Sequence, residues 1–198
     1  MNVPENGRRL WEKASTSWSG NTCRSWRVQT ILSGVSRNSG VFRERAIREV
    51  GASIVMKFMN ARSFFDTNVL VYADDKRAGT KQTRAIDLVE EHRRDGTGVV
   101  SLQVLQEYFV TVTRKLNVDS PLARRKVEIL SEFDVVVPDV ADILAAIDLH
   151  RLHGFSFWDA LVLRAATQAG CSVLLTEDFQ DGREINGIQV LNPFRTGK

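Results

Sequence analysis

A regular alternation of short apolar segments with longer amphipathic segments constrains this sequence most, and it runs from about residue 63 to residue 191. The short segments are rich in Val, Leu and Phe, which is typical of buried strands, and the longer segments are of helical length. Such an alternation predicts right-handed βαβ units and a parallel sheet that is covered on both faces. We therefore expect an α/β fold with three layers, α/β/α, around a central parallel sheet.

The sequence pattern also predicts where the individual elements lie. Strands are predicted at 63–66, 99–101, 135–137, 171–176 and 188–191, and helices at 81–95, 102–116, 120–133, 139–153 and 156–169. We expect Ser120-Pro121 to begin the third helix as N-cap and first-turn proline, and Gly154 to end the fourth. The expected core stripe of the second helix is Leu102, Leu105, Phe109 and Val112 or Val110.

Residues 1–59 differ from the rest of the chain in charge and in patterning. They contain ten Lys and Arg and four Glu, whereas residues 60–198 contain 17 basic and 20 acidic residues. The net charge of +3 therefore comes from this leader and does not indicate that the whole chain binds nucleic acid. We divide the chain into a basic, largely disordered leader (1–59) and a folded domain (60–198).

Three interpretations of the leader stay open. Translation starts later, at Met56 or Met59; the leader is a disordered basic tail; or it is an RNA-binding arm. We expect removal of residues 1–58 to leave folding and activity unchanged, because the segment lacks the periodicity of a core element.

Several classes of protein are excluded by composition. No run approaches the length of a spanning helix, so no membrane association is expected, and the N-terminus lacks the apolar region of a secretory signal. The chain has two cysteines, far apart, which excludes a disulfide framework and a cysteine zinc site. We expect Cys171 to be buried and the protein to be cytoplasmic.

Four acidic residues lie at or near predicted strand ends, where open α/β sheets bind ligands. They are Asp66, Glu107, Asp159 and Asp178. Each has a structural alternative: Asp66 as a helix N-cap, Ser156 and Asp159 as a capping box, Asp178 in a turn, and Glu107 facing solvent. Together they come from four separate elements and can converge on one crevice.

A convergent set of carboxylates predicts a bound cation. Two like charges about 4 Å apart repel by roughly 4 kcal/mol at an effective dielectric near 20, so such a cluster requires neutralisation. Oxygen ligands without Cys or His favour Mg²⁺, with Mn²⁺ as the alternative. Phosphodiester hydrolysis is the chemistry that needs this arrangement, and it requires no protein nucleophile.

Four short motifs in the expected order carry a resemblance to a known family. They are Phe64-Phe-Asp-Thr-Asn-Val-Leu-Val-Tyr-Ala73, Ser101-Leu-Gln-Val-Leu-Gln-Glu-Tyr108, Ser156-Phe-Trp-Asp-Ala-Leu161 and Leu175-Thr-Glu-Asp-Phe179. Residues 62–194 resemble the PIN-domain ribonucleases, in particular the VapC-type toxins of toxin–antitoxin modules. The leader is the departure from that pattern, since family members usually begin a few residues before the first strand.

The resemblance implies a PIN-like nuclease domain at 60–198. It places the catalytic and metal-binding quartet at Asp66, Glu107, Asp159 and Asp178, and accessory polar positions at Asn68, Ser156 and Thr176. It also implies an RNA substrate, a small antitoxin protein as partner and a homodimer. Since RNA must approach an acidic crevice, we expect basic residues at its rim, with Lys76, Arg77 and Arg114 as candidates.

Two other functions stay open on the sequence. The first is a catalytically inactive PIN-fold binding module that acts through a protein partner, against which the complete acidic quartet argues. The second is a phosphatase with Asp66 as nucleophile; such enzymes usually carry a second Asp two residues on, where this chain has Asn68.

Overall fold

The computed structural model describes residues 61–195. The leader lies outside the described residues, so its assignment stays a prediction. The strands are β1 (Ser63–Phe65), β2 (Gly98–Ser101), β3 (Asp134–Val136), β4 (Val173–Leu175), β5 (Glu184–Ile185) and β6 (Ile188–Leu191). The helices are α1 (Thr67–Tyr72), α2 (Thr80–Asp95), α3 (Leu102–Lys115), α4 (Ser120–Leu130), α5 (Val140–His153) and α6 (Phe157–Gln168).

The strands form one sheet in the order β3-β2-β1-β4-β6-β5, and all neighbours are parallel except β5 with β6. Successive side chains of a strand point to opposite faces, and Phe64 and Phe65 in β1 are both fully buried. Both faces of the sheet are therefore covered, which confirms the three-layer α/β/α prediction. The strand order reverses between β1 and β4, and this is where open α/β sheets form their ligand crevice.

Several helices begin directly where a strand or loop ends, because a polar side chain caps them at that point. Asp66 follows β1 and accepts a hydrogen bond from the Thr67 amide at the start of α1. Ser101 ends β2 and accepts a hydrogen bond from the Val104 amide in α3. The capping residues hold the first turns of these helices at the carboxyl edge of the sheet.

The predicted elements are confirmed in order, with four differences of detail. Helix α1 and strand β5 were not predicted, because both are too short to show a period. In α4 the N-cap is Asp119, one residue before the predicted Ser120. In α3 the stripe is wrong in part: Leu105 and Val112 are buried, but Leu102, Phe109 and Val110 are exposed, and Val104 and Tyr108 occupy the core instead.

A second, smaller buried cluster lies between α5 and α6, whereas the other buried residues of α6 belong to the main core. Ala146, Ala160 and Leu161 make a separate buried cluster, and Arg164 of α6 pairs with Asp142 of α5 at 2.9 Å. Gly154 ends α5 in the left-handed conformation (φ 70°), as predicted. Within residues 61–195, no helix combines the length and apolar character that crossing a membrane requires.

The ring of Phe133 packs against β1 and β2 at one end of the main core. It lies 5.2 Å from the ring of Phe65, and a Cβ atom placed on Gly98 would come within 2.6 Å of Phe133 Cε2. Glycine at this position therefore leaves the space that the aromatic ring fills.

Gly98→Ala is expected to destabilise the fold by about 1–3 kcal/mol, because it overpacks this contact. Urea unfolding of the variant and the wild type measures the difference. In a Phe133→Leu background the same substitution is expected to cost less, since the clashing ring is gone. An equal cost in both backgrounds would contradict the overpacking argument.

Candidate active site

A cavity of about 610 Å³ opens at the carboxyl ends of β1 and β4, where the strand order reverses. The four predicted acidic residues all line it, together with two of the three predicted accessory residues: Asp66, Glu107, Asp159, Asp178, Asn68 and Ser156. The third, Thr176, is fully buried and hydrogen-bonded to Asp66. The structure thus brings every predicted site residue to one place, while their catalytic and metal-binding roles stay predictions.

Asp66 is the buried acid of the cavity. Its Oδ1 accepts a hydrogen bond from the Thr67 amide at 2.6 Å, and its Oδ2 accepts from Thr176 Oγ1 at 2.7 Å. Burial raises the pKa of Asp66 to about 6, these two hydrogen bonds oppose the rise, and repulsion by Asp178 and Glu107 adds to it. The ionised form of Asp66 is therefore held at an energetic cost that a nearby cation would relieve.

Asn68 links the two acids that follow β1 and β4. Its Nδ2 donates to Asp66 Oδ2 at 3.0 Å and to Asp178 Oδ2 at 2.9 Å. The amide is oriented with nitrogen toward the carboxylates, since the reverse orientation would oppose oxygen to oxygen. Asn68 Oδ1 is buried and has no hydrogen-bond partner among the described residues. The cavity wall thus contains a buried acceptor without a donor.

Thr176, which is fully buried below the cavity, is hydrogen-bonded to all three of these residues. Its hydroxyl donates to Asp66 and accepts from Asn68 Nδ2 at 3.2 Å and from the Asp178 amide at 3.1 Å. One hydroxyl group therefore fixes the carboxylate after β1 and the backbone after β4 relative to each other.

Glu107 is positioned by two residues that sequence reasoning missed. Thr67 Oγ1 donates to Glu107 Oε2 at 2.8 Å, and Gln103 Nε2 donates to Glu107 Oε1 at 2.8 Å. Gln103 lies four residues before Glu107 on one face of α3, a spacing that predicts such a contact. The contact of Thr67 with Glu107 could not be predicted from local spacing, because the two residues are 40 positions apart in sequence.

Asp159 enters the cavity from the first turn of α6. The Ser156 hydroxyl accepts a hydrogen bond from the Asp159 amide at 3.1 Å, so Ser156 is the N-cap of this helix. Ser156 therefore has the capping role that the sequence offered as its structural alternative. The same cap fixes the helical turn that carries Asp159 into the cavity.

The segment between Thr176 and Asp178 is tied to α1 and α2 by a second network that sequence reasoning missed. Glu177 accepts hydrogen bonds from Tyr72 Oη and from Lys81 Nζ, the latter at 2.7 Å. Burial would raise the pKa of Glu177, but the bonds from Lys81 and Tyr72 outweigh it and lower the pKa. Glu177 is therefore a charged anchor that holds the adjacent Asp178 in place.

The donor set of the cavity fits a hard divalent cation. Its acidic lining residues supply carboxylate oxygens without Cys or His. Among residues 61–195, no three His, Cys, Asp or Glu side chains are grouped so that they could hold a metal ion as they stand. Mg²⁺ commonly takes only one or two carboxylates and keeps several waters, so Asp66 and Asp178, linked by Asn68, are a sufficient pair.

The predicted basic rim is confirmed in part. Arg77 lines the cavity, and Lys76 lines an adjoining groove. Arg114 lines neither, whereas its neighbour Lys115 lines both. On a helix, neighbouring residues point about 100° apart, so the prediction identified the right turn of α3 and the wrong residue.

The sequence profile of the PIN domain matches residues 63–180, a span that contains all the predicted site residues. The chain therefore belongs to the PIN domain family, whose members are nucleases. Among curated proteins, no sequence match was found.

Three solved structures with a similar fold are a toxin–antitoxin complex, a toxin and a VapBC complex. A toxin–antitoxin complex from Klebsiella pneumoniae aligns with a TM-score of 0.52 and 22% identity, covering 68% of this chain and 99% of that chain. VapC20 of Mycobacterium tuberculosis, a toxin that cleaves the sarcin–ricin loop, aligns with a TM-score of 0.46 and 18% identity over 59% and 89% of the two chains. VapBC2 from Rickettsia felis, bound to a promoter DNA fragment, aligns with a TM-score of 0.47 and 18% identity, covering 65% of this chain and 96% of that chain.

The site predicts that divalent cations stabilise the protein through Asp66. A ligand at about 100 times its Kd adds about 2.7 kcal/mol to the free energy of unfolding. We expect MgCl₂ or MnCl₂ to raise the Tm by several degrees relative to NaCl of equal ionic strength, in a thermal shift assay.

Asp66→Asn is expected to abolish most of this increase and to stay folded, since Asn keeps the oxygen that caps α1. Asp148→Asn is the matched control, because it removes an exposed carboxylate of α5 that does not line the cavity. Equal increases in the wild type and Asp66→Asn would place the ion elsewhere.

Proposed function

We propose that this protein is a metal-dependent endoribonuclease that hydrolyses RNA phosphodiester bonds and acts as the toxin of a toxin–antitoxin pair. One observation carries the proposal: Asn68 links the buried Asp66 to the exposed Asp178, in a cavity that Glu107 and Asp159 also line, within a PIN domain. The toxin assignment is further supported by the fold shared with the Klebsiella pneumoniae toxin–antitoxin complex. The cation is Mg²⁺, with Mn²⁺ as the alternative.

The four acids and the four residues that position them each have a part in the proposed reaction. Asp66 and Asp178 would hold the cation, with Glu107 and Asp159 completing the set directly or through water. A bound cation would supply an activated water and would neutralise charge on the phosphate and the leaving oxygen. Asn68 and Thr176 keep the two aspartates at a fixed separation, and Thr67 and Gln103 occupy both oxygens of Glu107 so that it cannot rotate freely.

The phosphatase alternative is weakened by the residue that lies two positions after Asp66. The position two residues on is Asn68, whose amide donates hydrogen bonds and has no proton to exchange with a substrate. The site is thus better suited to holding a cation than to forming a phospho-aspartate.

A small antitoxin protein is the proposed inhibitor. The cavity is acidic and open, so an arginine or lysine side chain of a partner could pair there with two carboxylates. Such a side chain would occupy the place of the cation and block the substrate in one step. The helices α2 and α3 are the other surface through which a partner could act.

Cleavage of single-stranded RNA tests the enzymatic proposal. We expect cleavage with MgCl₂ and none with EDTA. Thr176→Val is expected to lower the rate about 10–100-fold, which is typical when a residue that positions a metal ligand is lost, and Asp66→Asn is expected to lower it further. Asp148→Asn is the control and should cleave at the wild-type rate.

Cleavage by Asp66→Asn at the wild-type rate would show that Asp66 is not a ligand. Absence of any cleavage by the wild type, together with tight binding of the product of the upstream gene, would favour the inactive binding module.

The exposed face of α5 supports the proposed homodimer. Val140, Ile143, Leu144 and Ile147 follow the i, i+3, i+4, i+7 spacing of one helical stripe and are 72%, 39%, 57% and 37% exposed. A continuous apolar stripe on an exposed helix marks an interaction surface, and a two-fold axis would pack the stripe against its own copy.

Leu144→Glu is expected to convert the dimer to a monomer, because it places two charges in the centre of this interface. Light scattering after size exclusion measures the mass, and circular dichroism verifies that the monomer is folded. Val110→Glu, at an exposed apolar position on α3, is the control and should stay dimeric. A monomeric wild type, or a dimeric Leu144→Glu, would contradict this arrangement.

A further inference from the structure

A groove of about 850 Å³ continues from the acidic cavity along the ends of α1, α3 and α4. The two spaces share Asp75, Arg77, Lys115 and Leu116 in their walls, so a ligand can pass from one into the other without leaving the surface. The groove lies on the side of the cavity away from α6, because no residue of that helix lines it.

The charge of the wall changes sign between the two spaces. The cavity is lined by five carboxylates and two basic side chains, whereas the groove is lined by four basic side chains and three carboxylates. The basic residues of the groove are Lys76, Arg77, Lys115 and Lys126.

Two of these basic residues are engaged within the protein. Lys126 is buried and paired with Asp74, which also accepts a hydrogen bond from Tyr108 Oη. This buried group joins α3 and α4 and forms the floor of the groove. Arg77 pairs through Nε with Asp75 at 3.1 Å.

Lys76 and Lys115 differ from these two. Both are exposed, and among residues 61–195 neither has a carboxylate within ion-pair distance. Lys115 is the last residue of α3, and Glu107 lies eight residues earlier on the same helix. With a rise of 1.5 Å per residue, the two lie about 12 Å apart along one rigid axis.

We propose that this groove binds the RNA phosphates that neighbour the scissile one, with Lys76 and Lys115 as their principal contacts. The proposal rests on the proposed function and adds the path of the strand to it. Every nucleotide carries a negative charge, and the carboxylates of the cavity repel the strand wherever the cation does not neutralise them. The strand therefore gains most by leaving the cavity along the wall where the basic residues lie.

Binding and catalysis can be separated by testing the groove in the inactive Asp66→Asn protein. The probe is a fluorescein-labelled single-stranded RNA of about 12 nucleotides, a length within the range that one binding groove accommodates. Fluorescence anisotropy in MgCl₂ measures its affinity over a series of KCl concentrations.

Adding Lys76→Gln and Lys115→Gln is expected to lower the affinity at least about fivefold at low salt and to reduce the slope of log K against log salt by about 1.4, since each phosphate contact contributes about 0.7 for a single strand. Arg124→Gln with Arg125→Gln is the matched control. It removes the same charge from exposed positions on α4 that line neither space. The control is expected to keep the slope of the parent.

A kinetic measurement in the active protein gives an independent readout. The double lysine variant is expected to raise KM for the long RNA with little change in kcat, because the groove binds the strand away from the reacting bond. A substrate of two nucleotides, which does not extend along the groove, is expected to be cleaved equally by the variant and the wild type.

The outcomes distinguish the groove from the proposed function. A slope that falls equally in the lysine variant and the arginine control would overturn the proposal. So would unchanged RNA binding accompanied by weaker binding of the antitoxin, which would assign the groove to an acidic protein segment. RNA binding that depends on both lysines, in a wild type that cleaves no RNA, would uphold the groove and refute the nuclease.

Discussion

The site depends on the burial of one carboxylate, Asp66, at the end of a strand whose two faces are both covered. Because burial disfavours the charge of this group, its ionised form depends on donors from three directions: the α1 amide, the Thr176 hydroxyl and the Asn68 amide. Two of these donors belong to α1 and the third, Thr176, follows β4. The hydrogen bonds of Asp66 therefore hold the ends of β1 and β4 and the start of α1 in fixed positions relative to one another. The burial that makes ionisation of Asp66 unfavourable thus also requires the hydrogen bonds that make this wall of the cavity rigid.

Much of the fold and of the candidate site could be predicted from the sequence. Most strands are short and mainly apolar, Asp66 directly follows β1, and Asp178 lies three residues after β4, so the sheet edge and its polar residues are local features. The contacts of Thr67 and Glu177 could not be predicted, since they join residues 40 and 96 or more positions apart. The predicted core stripe of α3 was wrong in part because that helix has apolar residues on two faces. Only packing against the rest of the fold determines that Tyr108 is buried and Phe109 is exposed.

The acidic cavity and the basic groove divide two requirements that conflict in a nuclease. Carboxylates that hold a cation also repel the substrate, so affinity for the strand has to come from outside the reacting centre. Under the proposed function α3 would serve both purposes, with Glu107 in its middle and Lys115 at its end. The helix would then set the distance between the two charged regions, and its length would be under a constraint that a purely structural helix does not have.

The α5–α6 pair has its own small core, and it carries both Asp159 and the exposed apolar stripe. Four further residues of α6, namely Val162, Leu163, Ala165 and Ala166, belong to the main core, whereas no residue of α5 does. Helix α5 is therefore the part of the pair that can open while the remainder stays folded. Opening of α5 would uncover Ala160 and Leu161, which follow Asp159 in α6, and burial of the apolar stripe in an oligomer would oppose this opening by mass action. The packing beside Asp159 would then be firmer in a concentrated solution of the protein than in a dilute one.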